Sequence, residues 1–240
     1  MPVEVAIALP DGTALQAIIA VPSTSGPHPL VIAVHEAFGI DESMRAHVDR
    51  LAAAGYVVVM PDLFTRGGAL KCLRATFQAL TAGSGQAFDD IEATRQWALK
   101  RDDTSDDAGV IGFCLGGGFA LMLASRGYNA VSVNYAVLPV DLDAVLEGAC
   151  PVVASFGAKD KGLTGAAQVL EEHLLKAGVP HDVKEYPGAG HSFLNPYRAG
   201  PRGLRGILSI VLGVTTNPDA APDAWRRIEE FFALHLDSST

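Results

Sequence analysis

The chain is predicted to be an α/β protein with a mostly parallel central sheet and helices on both faces. From Leu30 onward, short apolar runs (LVIAVH, YVVVMP, AGVIGF, AVSVNYA and PVVASFG) alternate with longer stretches of helical period, the signature of strands joined through crossover helices. The bulk composition agrees. A chain of 240 residues, 49% hydrophobic and 19% charged, has enough apolar surface for one large core, so a single domain spanning 1–240 is expected.

The elements follow in order. VEVAIALPDGTALQAIIAVP is two apolar runs around a Pro-Asp-Gly turn, which reads as an N-terminal antiparallel hairpin. In DESMRAHVDRLAAAG, Met44, Val48 and Leu51 fall on one helical face after an Asp41 cap, with Gly55 as the stop. Further helices are predicted over 69–81, 87–100, 115–126, 163–177 and 222–236, the last opening after Pro222 with Trp225, Ile228, Phe231 and Phe232 inward. Segment 196–221 is the least regular, with glycines, prolines and arginines around the apolar GILSIVLG.

Charge and composition exclude several function classes. A formal net charge of -9 without a Lys/Arg block argues against nucleic acid and anionic lipid. No leader-like start and no apolar run of membrane-spanning length is present, so a cytoplasmic protein is expected. Cys72, Cys114 and Cys150 lack CxxC spacing and read as thiols; no HExxH or comparable spacing calls for a metal.

In an open parallel sheet, ligands bind beyond the carboxyl ends of the strands. GFCLGGG (112–118) ends one such apolar run and matches a G-x-nucleophile-x-G elbow, with Cys114 as the nucleophile and Gly112 and Gly116 at the crowded positions; Gly117 and Gly118 exceed the minimum. The following helix would aim its N-terminus at Cys114 and offer the Leu115 amide as an oxyanion donor. The bland alternatives are a tight turn with an inert cysteine, or a phosphate loop, although neither GxGxxG nor GxxxxGK[ST] is present. A carboxylate and a histidine then follow in the order this elbow uses: Asp160 in FGAKDKG, where lysine neighbours favour the ionised form, and His191 in YPGAGHSF. Glu36, in VIAVHEAFG, ends the first central strand beside Ala37, whose amide is the second candidate oxyanion donor. An added glutamate suggests control of a thiol proton; capping of the next turn is the plainer reading. His35 competes with His191 as base, but an inward strand residue is more often structural. His47, His173 and His235 fall on predicted helices, and His28 and His181 near strand starts; all five read as surface or packing residues.

HEAFG, PDLF, GFCLGGG, a strand ending in NYA, GAKD and PGAGHSF, in that order over roughly residues 12–195, together resemble the dienelactone hydrolase family of α/β-hydrolases. The resemblance implies Cys114 as nucleophile, His191 as base and acid, Asp160 as its orienter, and Ala37 and Leu115 as oxyanion donors. It also implies that Glu36 holds the resting thiol neutral by hydrogen bonding and takes its proton when substrate arrives. Phe38, Tyr135 and Ser192 are expected at the substrate. One departure bears on specificity. The family's dienelactone-opening members hold the substrate carboxylate with two arginines. Arg74 fits the first, but Asn195 occupies the position of the second and Arg198 is displaced; asparagine cannot replace bidentate pairing. The expected activity is cofactor-free hydrolysis of small esters or lactones by a monomer or homodimer. A carboxylesterase or thioesterase of other acyl specificity, and a catalytically silent binding domain using GILSIVLG, remain the competing readings.

Overall fold

The computed structural model describes residues 1–67, 69–197 and 217–236, so Arg198 and the GILSIVLG run lie outside the described residues. One eight-stranded sheet organises them: β1 (Val3–Ala8), β2 (Ala14–Ala20), β3 (His28–Val34), β4 (Val57–Pro61), β5 (Thr104–Phe113), β6 (Ala130–Asn134), β7 (Val152–Gly157) and β8 (His181–Tyr186), in the spatial order β1-β2-β4-β3-β5-β6-β7-β8. β1 and β2 form the predicted hairpin, with Val3 opposite Ile19 and Ala8 opposite Ala14. β2 runs antiparallel to β4, and every pair from β4 onward is parallel. β4, β6 and β7 are buried along their whole lengths, as strands covered on both faces must be.

The helices are α1 (Glu42–Ala53), α2 (Ala69–Ala82), α3 (Gln86–Ala98), α4 (Leu115–Leu123), α5 (Leu142–Leu146), α6 (Ala166–Ala177) and α7 (Ala220–Leu236). α1 starts where Asp41 accepts from the amides of Ser43 and Met44, and it buries Met44, Val48 and Leu51. Side chains alternate faces along β5. Phe113 meets His47 of α1 and Trp225 of α7 on one face, while Gly112 packs against the backbone of α4 on the other, where Phe88 of α3 meets Phe119 of α4. The sheet is therefore covered on both sides. No described helix is long and apolar enough to cross a membrane.

Several details differ from expectation. α7 begins at Ala220, ahead of Pro222, because Asn217 Oδ1 accepts from the amides of Asp219 and Ala220 and caps the helix early; a proline in a first turn loses no intrahelical bond. In the same helix, Phe231 is half-buried while Trp225, Ile228 and Phe232 are buried. The segment predicted as a helix from 163 opens with a 3-10 turn (Lys161–Leu163) capped by Asp160, and the α-helix proper starts at Ala166. The five-residue α5 has too few residues to show a helical period in sequence.

Candidate active site

Between the last residue of β5 and the first of α4 stands one residue, Cys114, at φ 54° and ψ -114°. A side chain there pays backbone strain of about 1–3 kcal/mol, held in place by its surroundings. The Cys114 amide donates to Asn134 O at 3.0 Å, and its carbonyl accepts from Gly117 at 3.0 Å. The flanking glycines are obligatory: a Cβ on Gly112 would lie 1.9 Å from Gly116 O, and one on Gly116 would lie 2.1 Å from Val34 O. Gly117 is needed too, contrary to the reading of it as surplus, since its Cβ would meet Asn134 O at 2.8 Å and Ala136 Cβ at 2.9 Å. That constraint comes from β6, which is remote in the chain. Tyr135 (φ 41°) and Ser192 (φ 57°) are the other non-glycine residues at positive φ among the described ones, and both adjoin the same site.

The carboxylate and histidine loops interlock by backbone. Gly157 at the end of β7 has no room for a Cβ, which would sit 2.6 Å from Gly190 O and 2.7 Å from Ala189 O, and the Lys159 amide donates to Ala189 O at 2.8 Å. Asp160 is thereby buried while its lysine neighbours stay exposed. Its Oδ1 accepts from the Gly162 amide at 3.1 Å, and its Oδ2 accepts from His191 Nδ1 at 2.5 Å. The His191 ring packs edge-on against Tyr135 at 5.3 Å and lies within hydrogen-bonding reach of Cys114. Burial opposes charge on this imidazole, but the bonds to Asp160 and Cys114 outweigh it and push its pKa up to about 10.

Glu36 is buried, 3% exposed. It accepts from Asn195 Nδ2 at 3.1 Å, and the Ser192 and Tyr135 hydroxyls bear on the same carboxyl. Burial raises its pKa against the opposing pull of His191, Ser192 and Asn195. His191 is the group that bears on the Cys114 sulfur, whereas Glu36 is bonded to Asn195, a different partition from the Glu36-to-thiol pairing that the resemblance implies. His35 has both ring nitrogens engaged: Nε2 accepts from the Leu63 amide at 3.1 Å, and Nδ1 donates to Glu36 O at 2.7 Å. Burial also lowers its pKa, so it is a neutral strut. With the Gly39 amide at 3.0 Å, it pins the carbonyl of the Glu36–Ala37 peptide. Neither the Ala37 nor the Leu115 amide donates to another described residue.

The remaining candidates divide. Tyr135, Ser192 and Asn195 are buried around Glu36. Phe38 is half-buried and lines a cavity of about 430 Å³ with Gln16, Ile40, Arg45 and Phe64. Arg74 is exposed on α2, with no hydrogen bond to a described residue. Sequence reasoning missed His47, which is buried and donates from Nε2 to Asn195 Oδ1 at 2.9 Å. The available signal was a titratable residue on the apolar stripe of α1, between Met44 and Val48.

The comparisons with known proteins agree with this architecture. The model of the dienelactone hydrolase family matches residues 15–236. A carboxymethylenebutenolidase from Rhodococcus opacus is 31% identical, covering 89% of this chain and 84% of that one. One from Pseudomonas putida is 30% identical over 79% of this chain and 85% of its own. A dienelactone hydrolase from Anabaena variabilis superposes with a TM-score of 0.73 over 98% of both chains at 18% identity, and a bacterial brefeldin A esterase with 0.69 over 98% of this chain and 77% of its own at 16% identity; both likenesses are of fold. With an elbow after β5 and family-wide similarity along nearly its whole length, the chain belongs to the dienelactone hydrolase family of α/β-hydrolases.

Proposed function

We propose that the protein is a cysteine-dependent hydrolase of small esters or lactones, of the carboxymethylenebutenolidase type. The observation that carries this reading is the alignment of Cys114, in its strained elbow, with an imidazole backed at 2.5 Å by the buried Asp160. Cys114 Sγ attacks the carbonyl carbon, and the Ala37 and Leu115 amides receive the developing oxyanion. His191, charged below about pH 10, gives its proton to the departing alkoxide and then activates water against the thioester. Glu36, as its carboxylate, takes the thiol's proton as the site fills, and the burial that raises its pKa makes it the readier acceptor. These steps use the chain's own side chains and amides, and the proposed partner is a small molecule.

On the described residues, a substrate carboxylate meets no pair of guanidinium groups: Arg74 is exposed, and Asn195 is neutral and already bonded to Glu36 and His47. This favours uncharged esters and lactones over dienelactone. Purified Cys114→Ala should lose turnover of aryl acetates and simple lactones, and iodoacetamide should label Cys114 ahead of Cys72 and Cys150. Undiminished hydrolysis by Cys114→Ala would reject the proposal.

A further inference from the structure

A hydrogen-bonded chain leaves the site in a direction the proposed reaction does not require. Glu36 Oε1 accepts from Asn195 Nδ2 at 3.1 Å, and Asn195 Oδ1 accepts from His47 Nε2 at 2.9 Å, with the Tyr135 hydroxyl 3.5 Å from the same oxygen. The His47 ring is stacked on Phe113 at 4.5 Å, with Trp225 packed against it at 5.0 Å, and these contacts hold its orientation. A second bond from α1, Ser43 Oγ to Tyr197 O at 3.1 Å, ties down the end of the same loop.

An amide has one donor end and one acceptor end, whereas a guanidinium donates from every nitrogen. An arginine facing Glu36 would need no orienting partner, but an asparagine does. With its NH2 end toward Glu36 it stabilises the carboxylate. Flipped, it would present an oxygen to that carboxyl and accept only from the protonated acid. We propose that His47 is a positioning residue: its Nε2–H holds Asn195 with the NH2 end toward Glu36, and so decides how readily Glu36 carries charge. His47 stays neutral to about pH 4, chiefly through burial, so its Nε2 proton is supplied by the ring tautomer and does not depend on protonating the imidazole. The groups that bear on the charge of Glu36 are His191, Asp41, Tyr135, Ser192 and Asn195, and Arg50 bears on His47. The catalytic value of this device rests on Glu36 serving the thiol as proposed above; its physical test does not.

The test follows the protonated-carboxyl band of Glu36 by pH-difference infrared spectroscopy, assigned by its absence in Glu36→Gln. His47→Phe keeps the stacking and removes the donor. It should raise the ionisation midpoint by about one pH unit, tenfold in the ionisation constant, the scale of one hydrogen bond to a charged group. His47→Gln, which can still donate, should return the midpoint toward wild type. His47→Asn, too short to reach, carries the same expectation as Phe should the bulkier variant not fold. Asn195→Leu should shift the midpoint upward by itself, and adding His47→Phe to it should change nothing more, because the histidine acts through the amide. The acid limb of kcat/KM should follow the midpoint. An unshifted midpoint in His47→Phe and His47→Asn, or additive shifts in the double variant, would overturn the inference. An active Cys114→Ala would instead reject the proposed function and leave the infrared result standing.

Discussion

Gly116→Ala is the substitution that most directly tests the elbow. A Cβ at this position would lie 2.1 Å from Val34 O, 2.6 Å from Val34 C and 2.8 Å from His35 O, all of them backbone atoms at the carboxyl end of β3. Since a Cβ essentially never sits closer than 3.0 Å to such an atom, the start of α4 and the end of β3 must separate by the difference between 2.1 and 3.0 Å, most of an ångström. Those two segments carry the Leu115 and Ala37 amides. A misplacement of about 1 Å in a reacting geometry costs on the order of 100-fold in rate, and overpacking of this kind destabilises by about 1–3 kcal/mol. For a chain of this size each kcal/mol lowers Tm by about 2–4 °C. The control is Gly118→Ala, whose Cβ would crowd the end of the Leu80 side chain, at 2.9 and 3.2 Å, and touch Val137 O at an ordinary 3.5 Å. A rotamer change relieves that contact, and removing a helical glycine recovers up to about 1 kcal/mol. Thermal unfolding and ester hydrolysis of the two variants together decide the matter. If Gly116→Ala keeps both the Tm and the kcat of the wild type, the oxyanion geometry does not depend on this approach and the reasoning is wrong.

Asp160→Asn should lower kcat by roughly 100-fold or more. It should also move the alkaline limb of kcat/KM down from about pH 10, because the bond that holds the His191 proton is weakened. The alkaline stability profile carries the same signature: the folded pKa of His191 lies above its ordinary 6.5, so its contribution is complete below 6.5 and disappears as pH rises through about 10. The Tm advantage of wild type over His191→Gln should narrow across that window. On the acid side, His47 runs the other way. Its folded pKa is depressed from 6.5 to about 4 by burial, so the unfolded chain binds the extra proton first and stability falls as pH drops between those values. His47→Gln should flatten that part of the Tm profile, and an unchanged slope would contradict a buried neutral imidazole.

Local pattern made the strands and most helices legible. Apolar runs bounded by turns do not depend on what they pack against, and Asp41 caps α1 through amides only two and three residues away. The early start of α7 was hidden because its cap, Asn217, lies ahead of the proline that local rules favour as a first residue. Gly112 and Gly116 announced the elbow by their spacing, but the need for Gly117 arises from Asn134 and Ala136, which a helix's length of intervening chain separates from it.

The order of motifs, HEAFG before GFCLGGG before GAKD before PGAGHSF, was sufficient by itself to determine the family and nominate its chemical groups, since each motif is a short-range solution to a sharp turn or a loop at a strand end. Which groups touch was decided only by the packing of α1 and α7 against β5. That contact turns His47 from an apparent helix-face residue into a buried donor, and gives Asn195 a neutral, directional hold on Glu36. Hydrogen bonds spanning 148 and 159 residues of chain leave no periodic trace, because nothing in local backbone propensity depends on a partner that only the finished fold brings near.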